Sequence, residues 1–220
     1  MQNPWSSLPA AAPYVLPEDA PILLKYASKL TGDKAVRPEV LPAPFIGSPD
    51  TAQVILLALN PGFKERDIGY QDGDPDFADL NLKALTFESR TPFFYLDPAH
   101  PEGGGYLWWH RRLRYFIQRY GLKAVGERFM CVQLFPYHSR SYAALPERLP
   151  SQEYSFQIVR QAIQERKPVV IMRSREQWLR AVPELRHYGY IELRFPRTPY
   201  IERHHMTEDE FARLNQAFRD

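Results

Sequence analysis

Four short runs, Val54 to Leu59, Phe129 to Phe135, Val169 to Met172 and Tyr190 to Phe195, are apolar or β-branched almost without a break. A strand with one wet face alternates apolar and polar residues. A strand covered on both faces does not, so these runs read as central parallel strands. Helical patterns separate them. Tyr106 to Tyr120 sets Leu107, Leu113, Phe116, Ile117 and Tyr120 against Arg111, Arg112 and Arg119, and Gly121 stops it. A second helix opens at Pro150-Ser151, turns Tyr154, Ile158 and Ile163 inward and closes at Lys167-Pro168. Ser174 with Gln177 and Thr207 with Glu210 have the spacing of capping boxes, the latter opening a helix with Phe211, Leu214 and Phe218. The alternation predicts an α/β fold, a three-layer α/β/α sandwich on a central four-stranded parallel sheet.

Proline divides the chain. Of 21 prolines, nine fall in the first fifty residues, where each fixes φ and removes an amide donor. Residues 1–50 therefore read as a proline-rich arm packed on the domain, with a short helix near Pro21 to Leu30, and residues 51–220 as the α/β domain. The acidic segment from Lys64 to Asn81 reads as a solvated loop with one helical turn.

Composition narrows the chemistry. The single cysteine, Cys131, excludes an internal disulfide, a four-cysteine zinc site and a four-thiolate iron–sulfur cluster. His138, His204 and His205 lack metal-ligand spacing, and Asp72 to Asp76 fails as a calcium loop because Phe77 and Lys83 stand where glycine and glutamate are needed. No Walker or dinucleotide-binding glycine pattern follows a strand, so neither metal nor cofactor is expected. No apolar run is long enough to span a membrane and no signal-peptide pattern is visible, which predicts a cytoplasmic protein without a membrane partner. Net charge is +2, but residues 1–100 carry −5 and residues 101–220 carry +7, and 21 of the 28 basic residues are arginine. That distribution permits a nucleic-acid partner without requiring one.

In parallel α/β sheets, ligands sit beyond the carboxyl ends of the strands. After the first run comes Ala58-Leu59-Asn60-Pro61-Gly62-Phe63, a sharp turn presenting Asn60 and the Gly62 backbone at the rim. After the second come Tyr137, His138, Ser139 and Arg140; His138 is the second catalytic candidate. After the third come Arg173, Ser174 and Arg175, a helix start flanked by two arginines suited to an anion. After the fourth come Arg197 and Tyr200.

The stretch Val54 to Gly62 resembles the first motif of the uracil-DNA glycosylase superfamily, and in particular its mismatch-specific branch, which carries Gly-Ile-Asn-Pro-Gly at the end of its first strand. His100 to Trp109, running into a helix that ends at Gly121, is similar to that family's proline-to-tryptophan segment. Pro196 matches the proline of its last motif, although Phe195 stands where the family has histidine or asparagine. The resemblance implies an enzyme that hydrolyses the N-glycosidic bond of a base flipped out of DNA, with Asn60 positioning the attacking water. Phe63 or Trp108 would stack the base, and Arg140, Arg173, Arg175 and the Ser174 helix start would hold phosphates. Two alternatives remain open: a non-catalytic nucleic-acid- or nucleotide-binding protein on the same fold, and a small-molecule enzyme using Tyr137, His138 and Ser139.

Overall fold

A computed structural model describes residues 2–101 and 105–219. In chain order it contains α1 (Ala20–Lys25), β1 (Phe45–Ile46), β2 (Val54–Ala58), α2 (Arg66–Gly73), α3 (Pro75–Ala84), α4 (Tyr106–Arg112), α5 (Arg114–Tyr120), α6 (Leu122–Arg128), β3 (Phe129–Gln133), α7 (Pro150–Gln164), β4 (Val169–Ile171), α8 (Arg175–Ala181), β5 (Ile191–Glu192) and α9 (Glu208–Gln216), with several short 3-10 turns.

The sheet is mixed and has five strands in the order β1-β3-β2-β4-β5, correcting the expected four-stranded parallel sheet. The four expected strands are present and mutually parallel. The fifth, β1, comes from the arm and pairs antiparallel with β3, Phe45 opposite Val132 and Ile46 opposite Cys131. It holds two residues between Pro44 and Gly47, too few for any periodicity. Gly47 is obligatory there, with φ +110° and a position for Cβ only 2.6 Å from the Phe129 carbonyl oxygen.

Every residue of β2 and β3 is buried. Their side chains alternate between two apolar clusters, one on each face of the sheet. Val54, Leu56 and Cys131 join α3, α4, α5, α6 and α9 through Phe77, Trp109, Phe116, Val125 and Leu214. Ile55, Leu57 and Val132 join α7 and α8 through Phe156 and Trp178, with Trp5 and Leu16 of the arm filling the same layer. Burying each such aliphatic or aromatic side chain contributes about 1.5–3 kcal/mol, so the arm belongs to the core and is more than a wrap.

Three further expectations need correction. The helix expected over Tyr106 to Tyr120 breaks between α4 and α5, because the Ile201 amide donates to the Arg112 carbonyl at 2.9 Å and inserts into the helical ladder. Lys64 to Asn81 is not a solvated loop but holds α2 and most of α3. Asp74 caps Phe77 N–H at 3.0 Å, Pro75 occupies the first turn, and Phe77, Leu80 and Ala84 turn inward. His100 ties this helix start down, its ring nitrogens 2.7 Å from Asp74 and 3.0 Å from Asp76. Ser174 forms no capping box; it adopts a left-handed conformation and its side chain caps nothing. The Thr207–Glu210 box does form, with bonds of 3.3 and 2.7 Å. The glycine run after Glu102 lies partly outside the described residues. Among the described residues no helix is long and apolar enough to cross a membrane.

Candidate functional site

A cavity of about 280 Å³ opens beyond the carboxyl ends of β2, β3 and β4, against α2, α3 and α4. It lies beside the point where the chain leaves β2 for one side of the sheet and later returns on the other, the position at which doubly wound sheets bind ligands. Aromatic rings dominate its walls: Phe63, Tyr70, Phe77, Tyr95, Trp108 and Trp109. The arm contributes Val40 and Ile46.

Asn60 sits where β2 ends. That end is held from both sides, because the Ala58 carbonyl accepts from Trp178 Nε1 at 2.8 Å and from Leu134 N at 3.2 Å. The Asn60 side-chain nitrogen donates to Ser139 Oγ at 2.9 Å, to the Pro61 carbonyl at 3.0 Å and to the Ser139 carbonyl at 3.3 Å. Ser139 Oγ in turn donates to the Ser141 carbonyl at 3.0 Å. With its nitrogen so engaged, Asn60 offers Oδ1 as an acceptor that has no partner among the described residues.

His138 is 4% exposed. Its Nδ1 lies 2.7 Å from the Gly62 carbonyl, which makes it the protonated nitrogen, while Nε2 is buried and makes no hydrogen bond. Burial holds its pKa below the usual histidine value, opposed by the Gly62 and Leu41 carbonyls and the Asp67 carboxylate. The ring is therefore neutral and Nε2 carries a lone pair.

Asp67, in the first turn of α2, accepts from the Lys64 amide at 2.7 Å through Oδ2, whereas Oδ1 is buried without a partner. Asn81 on α3 and Gln133 at the end of β3 each carry a buried, unpartnered amide oxygen. Burial, reinforced by Asp67, pushes the Tyr95 hydroxyl pKa up, so that hydroxyl keeps its proton. Each unpartnered buried acceptor costs about 1–3 kcal/mol. Four of these atoms belong to residues that line the cavity, and each lies under its surface with almost no accessible area.

Of the residues expected at the site, Asn60, Gly62, Phe63, Trp108, His138, Arg140 and Arg173 line the cavity, and Ser139 supports Asn60 from behind. The others do not line it. Tyr137 faces the opposite side of the sheet, its hydroxyl donating to Asp19 at 2.7 Å, because its ring completes the α7 layer. Ser174 lies off the cavity, and Arg175 is engaged by Glu192 at 3.1 Å and by Tyr190 at 2.8 Å. Arg197 contributes only its carbonyl, which accepts from Arg173 at 3.3 Å, and Tyr200 lies under Arg112 and Arg114. Arg140, though on the rim, is paired with Glu65. Phe63 and Trp108 each carry a guanidinium on one face, Arg37 at 4.2 Å and Arg112 at 4.4 Å, but Phe63 is only 6% exposed whereas Trp108 is half-buried, which makes Trp108 the better stacking surface. His205 is buried against Phe195 and Tyr200.

Asp67, Asn81 and Gln133 line the cavity without having been expected there. Asn81 follows Phe77 by four residues on the same buried helix face, and Gln133 is a lone polar residue within an apolar strand run; both signals were legible. Asp67 gave none. Among the described residues no cluster of histidine, cysteine, aspartate or glutamate is placed to hold a metal ion. Comparison with protein-family models, with curated proteins and with solved structures gave no match.

Proposed function

We propose that the protein binds DNA, draws one base into the cavity and hydrolyses its N-glycosidic bond, in the manner of the uracil-DNA glycosylase superfamily that Ala58 to Gly62 resembles. The observation that carries this reading is Asn60: its nitrogen is fixed by Ser139 and Pro61 at the end of β2, and its oxygen is open at the edge of an aromatic cavity sized for a planar ring. Oδ1 accepts a hydrogen bond from a water and aims its lone pair at C1′ of the sugar. As the water oxygen bonds to C1′, the bond from C1′ to the base breaks and its electrons leave with the base nitrogen. The water proton passes to solvent, and the products are a free base and an abasic sugar. Asn60 orients the water but does not deprotonate it, so turnover is slow.

Extruding a base costs a few kcal/mol, offset by stacking on Trp108 and by contacts to the backbone. Arg173 is the best phosphate contact, since its bonds go only to the Pro196 and Arg197 carbonyls. Arg112 lies beside it, stacked 4.4 Å over Trp108, and burial together with the nearby Arg173 lowers its pKa. Phe195, 54% exposed after β5, presents an apolar tip one residue before the Pro196 carbonyl that accepts from Arg173. A DNA substrate and a lone, buried free cysteine fit a cytoplasmic setting.

Enzyme in excess over oligonucleotides carrying single lesions or mismatches should release the base, and Asn60→Ala should slow release about a hundredfold. Absence of release from every strand removes the reading. The second reading, a non-catalytic binder, is favoured by the lack of a histidine or asparagine at Phe195. It expects affinity unchanged in Asn60→Ala but weakened about tenfold, with a shallower salt dependence, in Arg173→Ala.

A further inference from the structure

Resting on the reading that the cavity takes a base, we infer that Arg112 and Arg173 form a preorganised phosphate subsite at its edge, gripping one phosphate attached to the sugar of the bound nucleotide, so that the unit recognised is a nucleotide and not a base alone. Arg173 lines the cavity together with Trp108 and Pro199, and Arg112 stacks on that same Trp108. Both arginines are half-buried. One loop, the segment after β5, holds them both. The Pro196 and Arg197 carbonyls accept from Arg173 Nε at 3.1 Å and Nη2 at 3.3 Å. The Arg112 guanidinium lies 4.4 Å from the Trp108 ring and 5.1 Å from the Tyr200 ring, and the Ile201 amide donates to the Arg112 carbonyl at 2.9 Å. Carbonyl dipoles and aromatic faces fix a guanidinium without neutralising it.

Other shielded cations of the fold are matched by carboxylates: Arg160 by Glu153 at 2.6 Å and Glu184 at 3.1 Å, Arg37 by Glu39 at 2.9 Å, and Lys167 by Glu165 at 2.7 Å. Arg112 and Arg173 meet no carboxylate among the described residues. Burial lowers the Arg112 pKa, opposed by the Tyr200 hydroxyl, and the like charges of Arg173 and Arg111 lower it further; burial alone lowers that of Arg173. The Arg112 Nε is sealed and takes no part. The terminal nitrogens of Arg112 and the Nη1 of Arg173, without partners among the described residues, are the donors an anion meets. A phosphate presents several oxygens around one centre, accepts from two planar guanidiniums at once and relieves their mutual repulsion. With a base in the cavity, the anion within reach is the phosphate on its own sugar.

Removing one charge from the ligand tests the subsite without altering the protein. Strands of abasic residues carrying a single central base fix the register, since only that nucleotide can fill the cavity; each of the four bases is compared with an all-abasic strand by fluorescence anisotropy. In the tightest-binding strand the linkage 5′ or 3′ to the base is then replaced by an uncharged methylphosphonate. One of the two replacements should weaken binding about tenfold, and the same change three residues away should cost less than about twofold. Arg112→Gln and Arg173→Gln should each bind the charged strand about tenfold more weakly and lose nothing further to the neutral linkage, with unchanged thermal midpoints. A loss that persists in both variants overturns the subsite. If neutral linkages cost nothing, nucleoside monophosphates are compared with their nucleosides by thermal shift. An advantage of the monophosphate that Arg173→Gln abolishes keeps the subsite and makes its occupant a free nucleotide; no advantage overturns the subsite and leaves base binding standing. If no base exceeds the all-abasic strand, the base-binding reading falls as well.

Discussion

The two faces of the sheet treat buried polar groups differently, although the α7 layer also holds one unpartnered group, the Trp5 indole N–H. On the α7 face Asp19 is fully buried, and its carboxylate collects Ser151 Oγ at 2.6 Å, Tyr137 OH at 2.7 Å and Ser151 N at 3.1 Å, while the Tyr137 oxygen also accepts from Leu16 N at 3.1 Å. Gln152 beside it accepts from Leu149 N at 2.7 Å and donates to the Leu134 carbonyl. On the cavity face four buried acceptors have no partner. A satisfied network fixes the arm to the domain and is structural. An unsatisfied one costs stability in the empty protein and is retained where a ligand repays it.

The largest effect that tests this contrast is on the satisfied side. Asp19→Ala strips partners from Tyr137 and Ser151 together and should cost about 3 kcal/mol in urea unfolding. An intermediate effect separates the faces by pH. His138 has a folded pKa below its unfolded value, so its contribution to stability is present above pH 6.5 and is lost as pH falls below it. Burial raises the Asp19 pKa, so the stability tied to that group is greatest below its unfolded value and declines as pH rises through the folded one. Between pH 6.5 and 5.5 the protein should lose up to about 1 kcal/mol through His138, with His205 acting in the same direction, and His138→Gln should flatten that slope. Smallest of all is Asn81→Leu. Removing an unpartnered amide from a buried helix face should leave stability unchanged or raise it by less than about 1 kcal/mol, while weakening ligand binding. A loss comparable to Asp19→Ala would erase the distinction between the faces.

Sequence patterning located β2, β3 and β4 because central strands advertise themselves as uninterrupted apolar runs, whereas the run Tyr190 to Phe195, expected to be covered on both faces, yields only the two-residue edge strand β5 with Glu192 exposed. It found Asn60, His138 and Arg173 because the carboxyl ends of such strands converge on one rim. It failed where the information is pairwise. Neither β1 nor the break at Arg112 can be read from local residues, since one is defined by Val132 and the other by Ile201. Tyr137 adjoins His138 in sequence yet points through to the other layer, a separation that only the backbone direction after β3 decides. The acidity of Lys64 to Asn81 hid α3, although Phe77, Leu80 and Ala84 already stood at helical spacing.

The antiparallel edge also orders events during synthesis. Phe45 emerges about ninety residues before its partner Val132, and at about 5–20 residues per second the ribosome needs roughly 4–18 seconds to supply it. For that interval the nascent arm, with Trp5, Leu16 and Phe45, exposes apolar side chains destined for the core and has no edge to join. Nascent-chain crosslinking should therefore find chaperone contacts on this segment until β3 clears the exit tunnel.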